Sequence, residues 1–251
     1  MSSKHDFRLL EQKVAPVCRL SMSLVELRQV YKYYHLGETR IAALKDINLV
    51  IQKGEFVAIW GPSGSGKSTL CNLIGLLDSP TSGLVFLEGQ DATELSDDQR
   101  SEVRNKAIGF IFQSFNLLPV LSALENVMLP LQIRGESLLR AKEKAIQCLT
   151  DLGIAEYSAH RPHRLSGGQQ QRVAIARALI TSPALVIADE PTANLDSETA
   201  LMIIDLMRQL NLQSGTTFIF STHDQRLLAR VDRQLLLRDG TIIEDKTVSA
   251  S

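Results

Sequence analysis

One stretch constrains the fold of this 251-residue chain most: an apolar run that leads directly into a glycine-rich loop. The run covers Glu55–Trp60, and the loop reads GPSGSGKS over Gly61–Ser68. A helix is expected to follow, from Lys67 to about Leu77. Glycine lets a backbone curl closely around an anion, and loop amides and a helix N-terminus both offer partial positive charge. The pattern therefore predicts a strand, loop and helix that bind phosphate.

The spacing G-x-x-x-x-G-K-S gives the residues of this loop separate roles. Lys67 is expected to reach the β- and γ-phosphates of a nucleotide, and the Ser68 hydroxyl to ligate Mg²⁺. Thr69 is expected to lie on the side of the loop that faces the α-phosphate. The residues whose backbone is expected to cradle the phosphates are Gly61, Pro62, Ser63, Gly64, Ser65 and Gly66.

A second apolar run, Leu185–Ala188, ends in two carboxylates, Asp189 and Glu190. Such a run is typical of a strand buried on both faces, and open α/β sheets bind ligands at the carboxyl ends of their strands. We expect Asp189 to hold Mg²⁺ through water, and Glu190 to orient or deprotonate the attacking water. General-base catalysis typically contributes about 10²–10⁴-fold. The alternative is an acidic pair that merely faces solvent, and the phosphate loop weighs against it.

Strand-like and helix-like patterns alternate along most of the chain, which predicts a parallel sheet covered on both faces. Alternating patterns in Val25–Tyr31 and Ile47–Gln52 predict an added antiparallel piece. The other expected strands are Leu84–Leu87, Thr217–Ser221, Gln234–Arg238 and Thr241–Ile243. The expected helices are Gly168–Ile180 and Ser197–Leu212. The stretch from Ala123 to about Leu152 is also expected to be mostly helical, with a break near Pro130–Gly135.

Composition and charge exclude several classes of function. A hydrophobic content of 44% suits one α/β domain with subdomains, or two small domains. A formal net charge of −1 gives no global basic field for nucleic acid. No apolar run approaches the ~20 residues that span a bilayer, and the N-terminus lacks the continuous apolar segment of a signal peptide. The three cysteines, odd in number and widely spaced, indicate unpaired thiols in a reducing cytoplasm.

Three local features are interpreted without a chemical role. Residues 1–22 form an N-terminal extension, with Met22 as an alternative start, and residues 246–251 form a C-terminal tail. Cys18 within the extension lacks the preceding apolar segment that lipidation needs. His160 and His163 are interpreted as part of a loop, not a metal site, because no cysteine or carboxylate partner is near and Pro162 separates them.

The segment Leu165–Gln169 reads LSGGQ, is followed by QQR, and closely resembles the signature of ABC ATPases. Ser166 is expected to cap a helix, so that the amides of Gly167 and Gly168 lie at its positive end. In that family the signature and the phosphate loop face each other across a dimer. The resemblance therefore implies that Lys67 of one copy and Ser166 and Gly168 of another bind the same γ-phosphate.

Three further positions match the family in order along the chain. Gln113 follows Gly109–Phe112 and resembles the glutamine that contacts Mg²⁺ and senses the membrane partner. Asp196 resembles the aspartate of the loop that crosses the dimer interface. His223 follows the expected strand Thr217–Ser221 and resembles the histidine that contacts the γ-phosphate.

Tyr34, in the pattern V-x-K-x-Y, resembles the aromatic residue that stacks on adenine, although Tyr31 or Tyr33 could take that place. The resemblance implies ATP and Mg²⁺ as cofactors. It also implies Glu190, His223 and Gln113 as catalytic residues, and Ser68, Gln113 and Asp189 as metal ligands. The fold it implies is the α/β P-loop NTPase fold of ABC ATPases, with a RecA-like core, an antiparallel β subdomain and an α-helical signature subdomain. This domain would cover residues 23–245, with the helical subdomain at about 114–168.

Shorter matches indicate one branch of the family. SFNLLP at 114–119, LLDSPTSG at 76–83 and ALENV at 123–127 look like the lipoprotein-releasing and macrolide-efflux ATPases (LolD/MacB-like), with FtsE as a near neighbour. The resemblance implies a homodimer on the cytoplasmic face of the inner membrane, bound peripherally to a separate permease. Through that permease it would serve periplasmic or outer-membrane components, exporting or releasing lipoprotein, lipid or hydrophobic substrates. An FtsE-like ATPase that signals across the membrane without transport is the alternative.

Overall fold

The computed structural model describes residues 23–37 and 39–248. The extension at residues 1–22, with Met22 and Cys18, and the tail from residue 249 lie outside them. The strands are β1 (Val25–Leu36), β2 (Thr39–Ile51), β3 (Phe56–Trp60), β4 (Ser82–Leu87), β5 (Gln90–Asp91), β6 (Ile108–Phe112), β7 (Leu185–Asp189), β8 (Thr217–Thr222), β9 (Arg233–Arg238) and β10 (Thr241–Thr247). The helices are α1 (Lys67–Ile74), α2 (Asp97–Ala107), α3 (Ala123–Ile133), α4 (Leu138–Asp151), α5 (Gly167–Leu179) and α6 (Ser197–Ser214).

The central sheet has the strand order β10-β9-β3-β8-β7-β6, and all its strand pairs are parallel except β10 with β9. Its middle strands are buried on both faces, as the apolar runs predict. On β3, Phe56 and Ala58 enter one hydrophobic core, while Val57 and Ile59 enter the other. The strand period of two thus divides each apolar run between two cores.

The two cores belong to different layers of the molecule. On one face of the central sheet, α3, α4, α5 and α6 contribute buried side chains to a common core. On the other face, α1 packs together with a second sheet of order β2-β1-β4-β5, whose strand pairs are antiparallel. The expected fold, an α/β core with an antiparallel β piece and a helical part, is confirmed.

Several element boundaries differ from those expected. Helix α1 ends at Ile74, one turn early, because Gly75 caps it and Leu76 adopts a left-handed φ of 56°. Strand β10 continues to Thr247, past its expected end at Ile243, because its register with β9 runs to Thr247 opposite Arg233. Pro130 lies inside α3, and the break expected near Pro130–Gly135 follows the end of this helix at Ile133, before α4 begins at Leu138. Among the described residues, no helix has both the length and the apolar character needed to cross a bilayer.

Gly109 on β6 permits the close packing of α5 against the sheet. A Cβ atom at this position would lie 2.4 Å from the carbonyl oxygen of Ala178, a backbone atom that cannot swing away. We expect Gly109→Ala to lower the free energy of unfolding by about 1–3 kcal/mol, the usual cost of overpacking a core. Chemical denaturation measures this.

Gly135→Asn is the matched control for that substitution. Gly135 has a φ of +79°, and a Cβ atom at this position would have no other atom within 4 Å, so crowding plays no part. Asparagine tolerates this backbone region, and the expected cost is about 1 kcal/mol or less. Equal stability of both variants would show that the contact between β6 and α5 is not tight.

Candidate functional site

The expected site residues lie where four neighbouring parallel strands end. The strands β3, β8, β7 and β6 are adjacent, so their carboxyl ends share one edge of the sheet. Trp60 pairs with Thr222, and Phe112 pairs with Asp189, which brings the residues that follow these strands to the same level. The glycine-rich loop, Gln113, Glu190 and His223 therefore meet at this edge, the place where ligands bind in open α/β sheets.

The glycine-rich loop turns directly from β3 into α1. Gly61 has a φ of +151°, and a Cβ atom there would lie 2.1 Å from the Leu237 carbonyl oxygen. Gly66, in the left-handed region, is the N-cap of α1 and gives it no side-chain cap. The amides at the start of α1 are therefore left for an anion, as the sequence predicts.

Lys67 lies inside this loop with its ammonium group directed at the loop's own backbone. Its Nζ donates to the carbonyl oxygens of Gly61 at 3.0 Å and Pro62 at 3.1 Å. The side chain is 7% exposed. A buried ammonium group that has only neutral acceptors at hydrogen-bond distance fits a site for phosphate oxygens.

Asp189 accepts hydrogen bonds from two serines on different elements. Its Oδ1 accepts from Ser68 Oγ of α1 at 3.0 Å and from Ser221 Oγ of β8 at 2.6 Å. The Ser221 oxygen in turn accepts from the Glu190 amide at 2.8 Å. The Ser68 hydroxyl and the Asp189 carboxylate thus form an adjacent pair of oxygen donors, which fits a hard cation such as Mg²⁺.

Glu190 adopts a strained backbone conformation and faces the side chains of Lys67 and His223. Its φ is 46°, in the left-handed region that costs a non-glycine residue about 1–3 kcal/mol. Oε1 lies 3.8 Å from Lys67 Nζ, and Oε2 lies 2.9 Å from His223 Nδ1, whose N–H donates to the carboxylate. The Glu190 side chain is 15% exposed and that of His223 is 63% exposed. This geometry gives an inward carboxylate and an imidazole at the mouth of the site.

A groove of about 430 Å³ opens over these residues. Its lining combines the phosphate loop with a tyrosine and part of β2, and a carboxylate closes one side. The expected site residues that line it are Tyr34, Ser63, Gly64, Gly66, Lys67, Ser68, Thr69, Gln113 and Glu190. Gly61, Pro62, Ser65 and Asp189 are not among the lining residues; the first three lie within the loop and Asp189 at the end of β7.

Tyr34, among the three candidate tyrosines, lines this groove. Its hydroxyl donates to Asp78 Oδ2 at 2.8 Å, and Lys32 Nζ lies 4.8 Å from the ring centroid. Burial raises the pKa of Tyr34, and the hydrogen bond to Asp78 adds to this. Tyr31 and Tyr33 instead stack on each other at a centroid distance of 6.4 Å, outside the lining. This placement favours Tyr34 as the aromatic platform.

Gln113 belongs to the groove, whereas Asp196 is not among the residues that line it. Gln113 follows β6 and lines the groove, and its carbonyl oxygen accepts from Asn194 Nδ2 at 3.0 Å. Asp196 is the N-cap of α6 and accepts from the amides of Glu198 and Thr199. The hydrogen bond from the Thr199 hydroxyl is the largest cause that lowers the pKa of Asp196.

The signature residues do not line the groove of their own chain. Ser166 caps α5 as expected, because its Oγ accepts from the Gln169 amide at 3.3 Å and the Gln169 side chain accepts from the Ser166 amide at 2.8 Å. Gly167 and Gly168 lie against the start of α6: Cβ atoms there would be 3.2 Å from Leu195 and 2.9 Å from Thr199. One chain thus brings together the phosphate loop and the carboxylates, but not the signature.

Three residues with clear roles in the site geometry were not identified from the sequence. Ser221 links the Asp189 carboxylate to the Glu190 backbone amide, Asn194 holds the Gln113 backbone, and Asp78 holds Tyr34. Ser221 had a signal, since it is a polar residue near the carboxyl end of an otherwise apolar strand. Asp78 lies in the turn after α1 and had none, because its partner comes from β1, 44 residues away.

The Ser221 hydroxyl is predicted to orient the Asp189 carboxylate and the backbone of Glu190. We expect Ser221→Ala to leave the Glu190 amide unpaired and so to lower the free energy of unfolding by about 1–3 kcal/mol. The rate of ATP hydrolysis should fall roughly 10–100-fold, the range for residues that orient metal ligands. Thr217→Val is the control, because the Thr217 hydroxyl, on the same strand, accepts from the Gly54 amide at 2.8 Å instead. Thermal unfolding and steady-state hydrolysis distinguish the two variants. Equal rates would contradict the role of Ser221.

Comparison with known proteins identifies the family. The family model for the ABC transporter matches residues 44–193. The "Lipoprotein-releasing system ATP-binding protein LolD" of Legionella pneumophila (strain Paris) is 49% identical over 215 residues, which cover 86% of this chain and 95% of that protein. The "Macrolide export ATP-binding/permease protein MacB" of Syntrophobacter fumaroxidans is 48% identical over 88% of this chain but only 31% of its own length.

A solved structure agrees with these relatives. It is described as the dimeric, post-hydrolysis state of the ATP-binding cassette MJ0796 bound to ADP and Pi. It superposes with a TM-score of 0.84 at 44% identity, and the match covers 90% of this chain and 100% of that one. The chain belongs to the ABC transporter family as an ATP-binding subunit that hydrolyses ATP.

Proposed function

We propose that two copies of this chain enclose ATP·Mg²⁺ between them and power a separate inner-membrane permease. The observation that carries this proposal is the position of the signature. Ser166 and Gly168 lie at the N-terminus of α5, outside the lining of the groove that holds Lys67. A second copy supplies the second anion site in the way the family signature implies.

The chemistry of the α5 N-terminus supports this arrangement. The cap formed by Ser166 uses the amide of Gln169, whereas the first-turn amides of any α-helix lack partners within the helix. These amides and the helix dipole attract negative charge. The γ-phosphate would then be held by Lys67 from one copy and by Ser166 and Gly168 from the other. The dimeric state described for the similar cassette MJ0796 supports the same conclusion.

Within each site, Glu190 orients and deprotonates the attacking water. The imidazole of His223 is 2.9 Å from its carboxylate and contacts the γ-phosphate from the mouth of the groove. Ser68, Gln113 and Asp189 would hold Mg²⁺, and the ion would neutralise charge on the phosphates. Tyr34 supports the adenine, and Asp196 belongs to the segment at the dimer interface.

The substrate we propose is a lipoprotein, a lipid or another hydrophobic molecule that the permease exports or releases. The names of the relatives support it, since one belongs to a lipoprotein-releasing system and one to macrolide export. The matched part is only 31% of MacB, whose name also includes a permease. We propose a permease in a separate chain, with this subunit on the cytoplasmic face; the match to 95% of LolD, which is named as an ATP-binding protein alone, supports this. These relatives favour transport over signalling without transport.

Glu190→Gln tests the assignment of the general base. The substitution keeps the size of the side chain but removes its ability to take a proton, so hydrolysis should fall about 10²-fold or more. ATP binding should persist, and a closed dimer should accumulate. Size-exclusion chromatography with ATP and steady-state kinetics measure the two effects.

Glu102→Gln is the control for charge, because Glu102 lies on α2 and pairs with Lys106 at 2.6 Å, away from the groove. It should hydrolyse ATP at the rate of the unsubstituted chain. Turnover of Glu190→Gln above about a tenth of that rate would remove the general-base role from Glu190.

The permease contact is predicted to involve the segment that follows Gln113. Val120, 71% exposed, lies in this segment, and Leu212 on α6 is 69% exposed elsewhere on the chain. We expect Val120→Asp to reduce recovery of an integral membrane protein with this chain from native membranes, whereas Leu212→Asp should not. Quantitative mass spectrometry of the purified complexes measures recovery, and thermal unfolding checks folding. Equal recovery from both variants would contradict this contact.

A further inference from the structure

The two residues after Ser114 have an unusual backbone. Phe115 has a φ of 59° and Asn116 a φ of 47°, so two consecutive non-glycine residues adopt the left-handed region. Such residues each cost about 1–3 kcal/mol and persist when the surrounding structure holds them. They follow Gln113 by only two and three positions. Whatever holds this pair therefore also determines where Gln113 points.

Arg177 holds the pair. Its Nη1 donates to the carbonyl oxygen of Asn116 at 2.6 Å, and its Nη2 donates to that of Phe115 at 2.8 Å. In the part of the chain that the structure describes, no salt bridge joins Arg177 to a carboxylate. Burial lowers the pKa of its guanidinium. Taking a charged group out of water costs free energy, and here hydrogen bonds to two backbone carbonyls offset that cost.

We propose that Arg177 is a positioning residue that keeps Gln113 in the nucleotide groove by holding Phe115 and Asn116 in their left-handed conformation. The planar guanidinium suits this task, because its fixed fork reaches two neighbouring carbonyls at once. The inference rests on the proposed function in one respect, namely that Gln113 acts on the bound nucleotide and its metal.

The same helix carries the signature at its other end. Arg177 lies in the last turn of α5, and Ser166 caps the first turn. The opposite side of the loop is held by Asn194, whose Nδ2 donates to the Gln113 carbonyl oxygen at 3.0 Å. Helix α5 is therefore a rigid connection of about 16 Å between the signature and the loop of Gln113. Movement of the signature helix is transmitted through Arg177 to the groove of the same chain.

The contact between Arg177 and the loop of Gln113 borders a second groove on the surface. It has a volume of about 240 Å³ and is lined by Phe112, Asn116, Pro130 and Arg177, among others. Gln113 lines the nucleotide groove instead. The short segment between Phe112 and Asn116 thus borders both grooves, and Arg177 holds it at the second one.

The test compares Arg177→Met with Arg134→Met. Arg134 is a matched control because it also donates to backbone carbonyls, those of Asn105 and Thr181, each at 3.0 Å, and burial also lowers its pKa. Arg134 does not contact the loop of Gln113. Both substitutions remove a guanidinium that binds carbonyls, so both should lower the melting temperature.

Kinetics separate the two roles. We expect Arg177→Met to lower kcat for ATP about tenfold or more while KM for ATP changes less than about twofold, and Arg134→Met to leave kcat within about twofold. The Mg²⁺ concentration for half-maximal hydrolysis should rise in Arg177→Met alone. Arg177→Lys should recover part of the rate, because an ammonium group can reach one of the two carbonyls. If Arg177→Met fails to fold, Arg177→Lys still tests the role of Arg177 in hydrolysis.

A double substitution shows whether Arg177 acts through Gln113. If it does, Gln113→Ala with Arg177→Met should hydrolyse ATP within about twofold of Gln113→Ala alone. Fully multiplicative losses, or equal kcat in the Arg177 and Arg134 variants, would overturn the proposal. If the unsubstituted chain forms the ATP-bound dimer and Glu190→Gln collapses turnover, such a result refutes only the role of Arg177 and leaves the proposed function intact.

Discussion

The contact on which the rest of the site depends is the one at Asp189 Oδ1, which accepts from Ser68 on α1 and Ser221 on β8. It joins the phosphate loop, the acidic strand end and the neighbouring strand into one unit. The Ser221 oxygen also accepts from the Glu190 amide, so the strained backbone of Glu190 is held by the same network. A carboxylate with two hydroxyl partners keeps a fixed orientation, which preorganises the site for the charges of its substrate.

Helix ends determine how the site is completed. The N-terminus of α1 lies in the groove with no side-chain cap, whereas the N-terminus of α5 is capped by Ser166 and lies outside the lining. Because a helix terminus attracts an anion only over its first turn, these two ends cannot serve one phosphate within one chain in this geometry. In our proposal a second copy supplies the missing helix end, and Arg177 at the other end of α5 connects that helix to the loop of Gln113.

The elements that followed from the sequence were those with strong local patterns. The buried runs of β3 and β7 predicted strands covered on both faces, and the Ser166 cap predicted the start of α5. Helix α2 was not predicted, because none of its residues is buried and it therefore carries no apolar stripe. The strand β6 was not predicted either, since its run is short and contains Gly109, which tertiary packing against Ala178 requires.

The sequence alone determined the chemistry of the phosphate loop, the acidic strand end and the signature, because each depends on residue types at short, fixed spacing. Tertiary structure decided the rest. It selected Tyr34 over Tyr31 and Tyr33. It placed Ser221 between the Asp189 carboxylate and the Glu190 amide, and it brought Arg177 to a loop more than 60 residues away. These contacts join side chains to groups distant in the chain, and no local pattern encodes such a pairing. Their physical origin is the shared edge of a parallel sheet, which collects the ends of strands that the sequence keeps far apart.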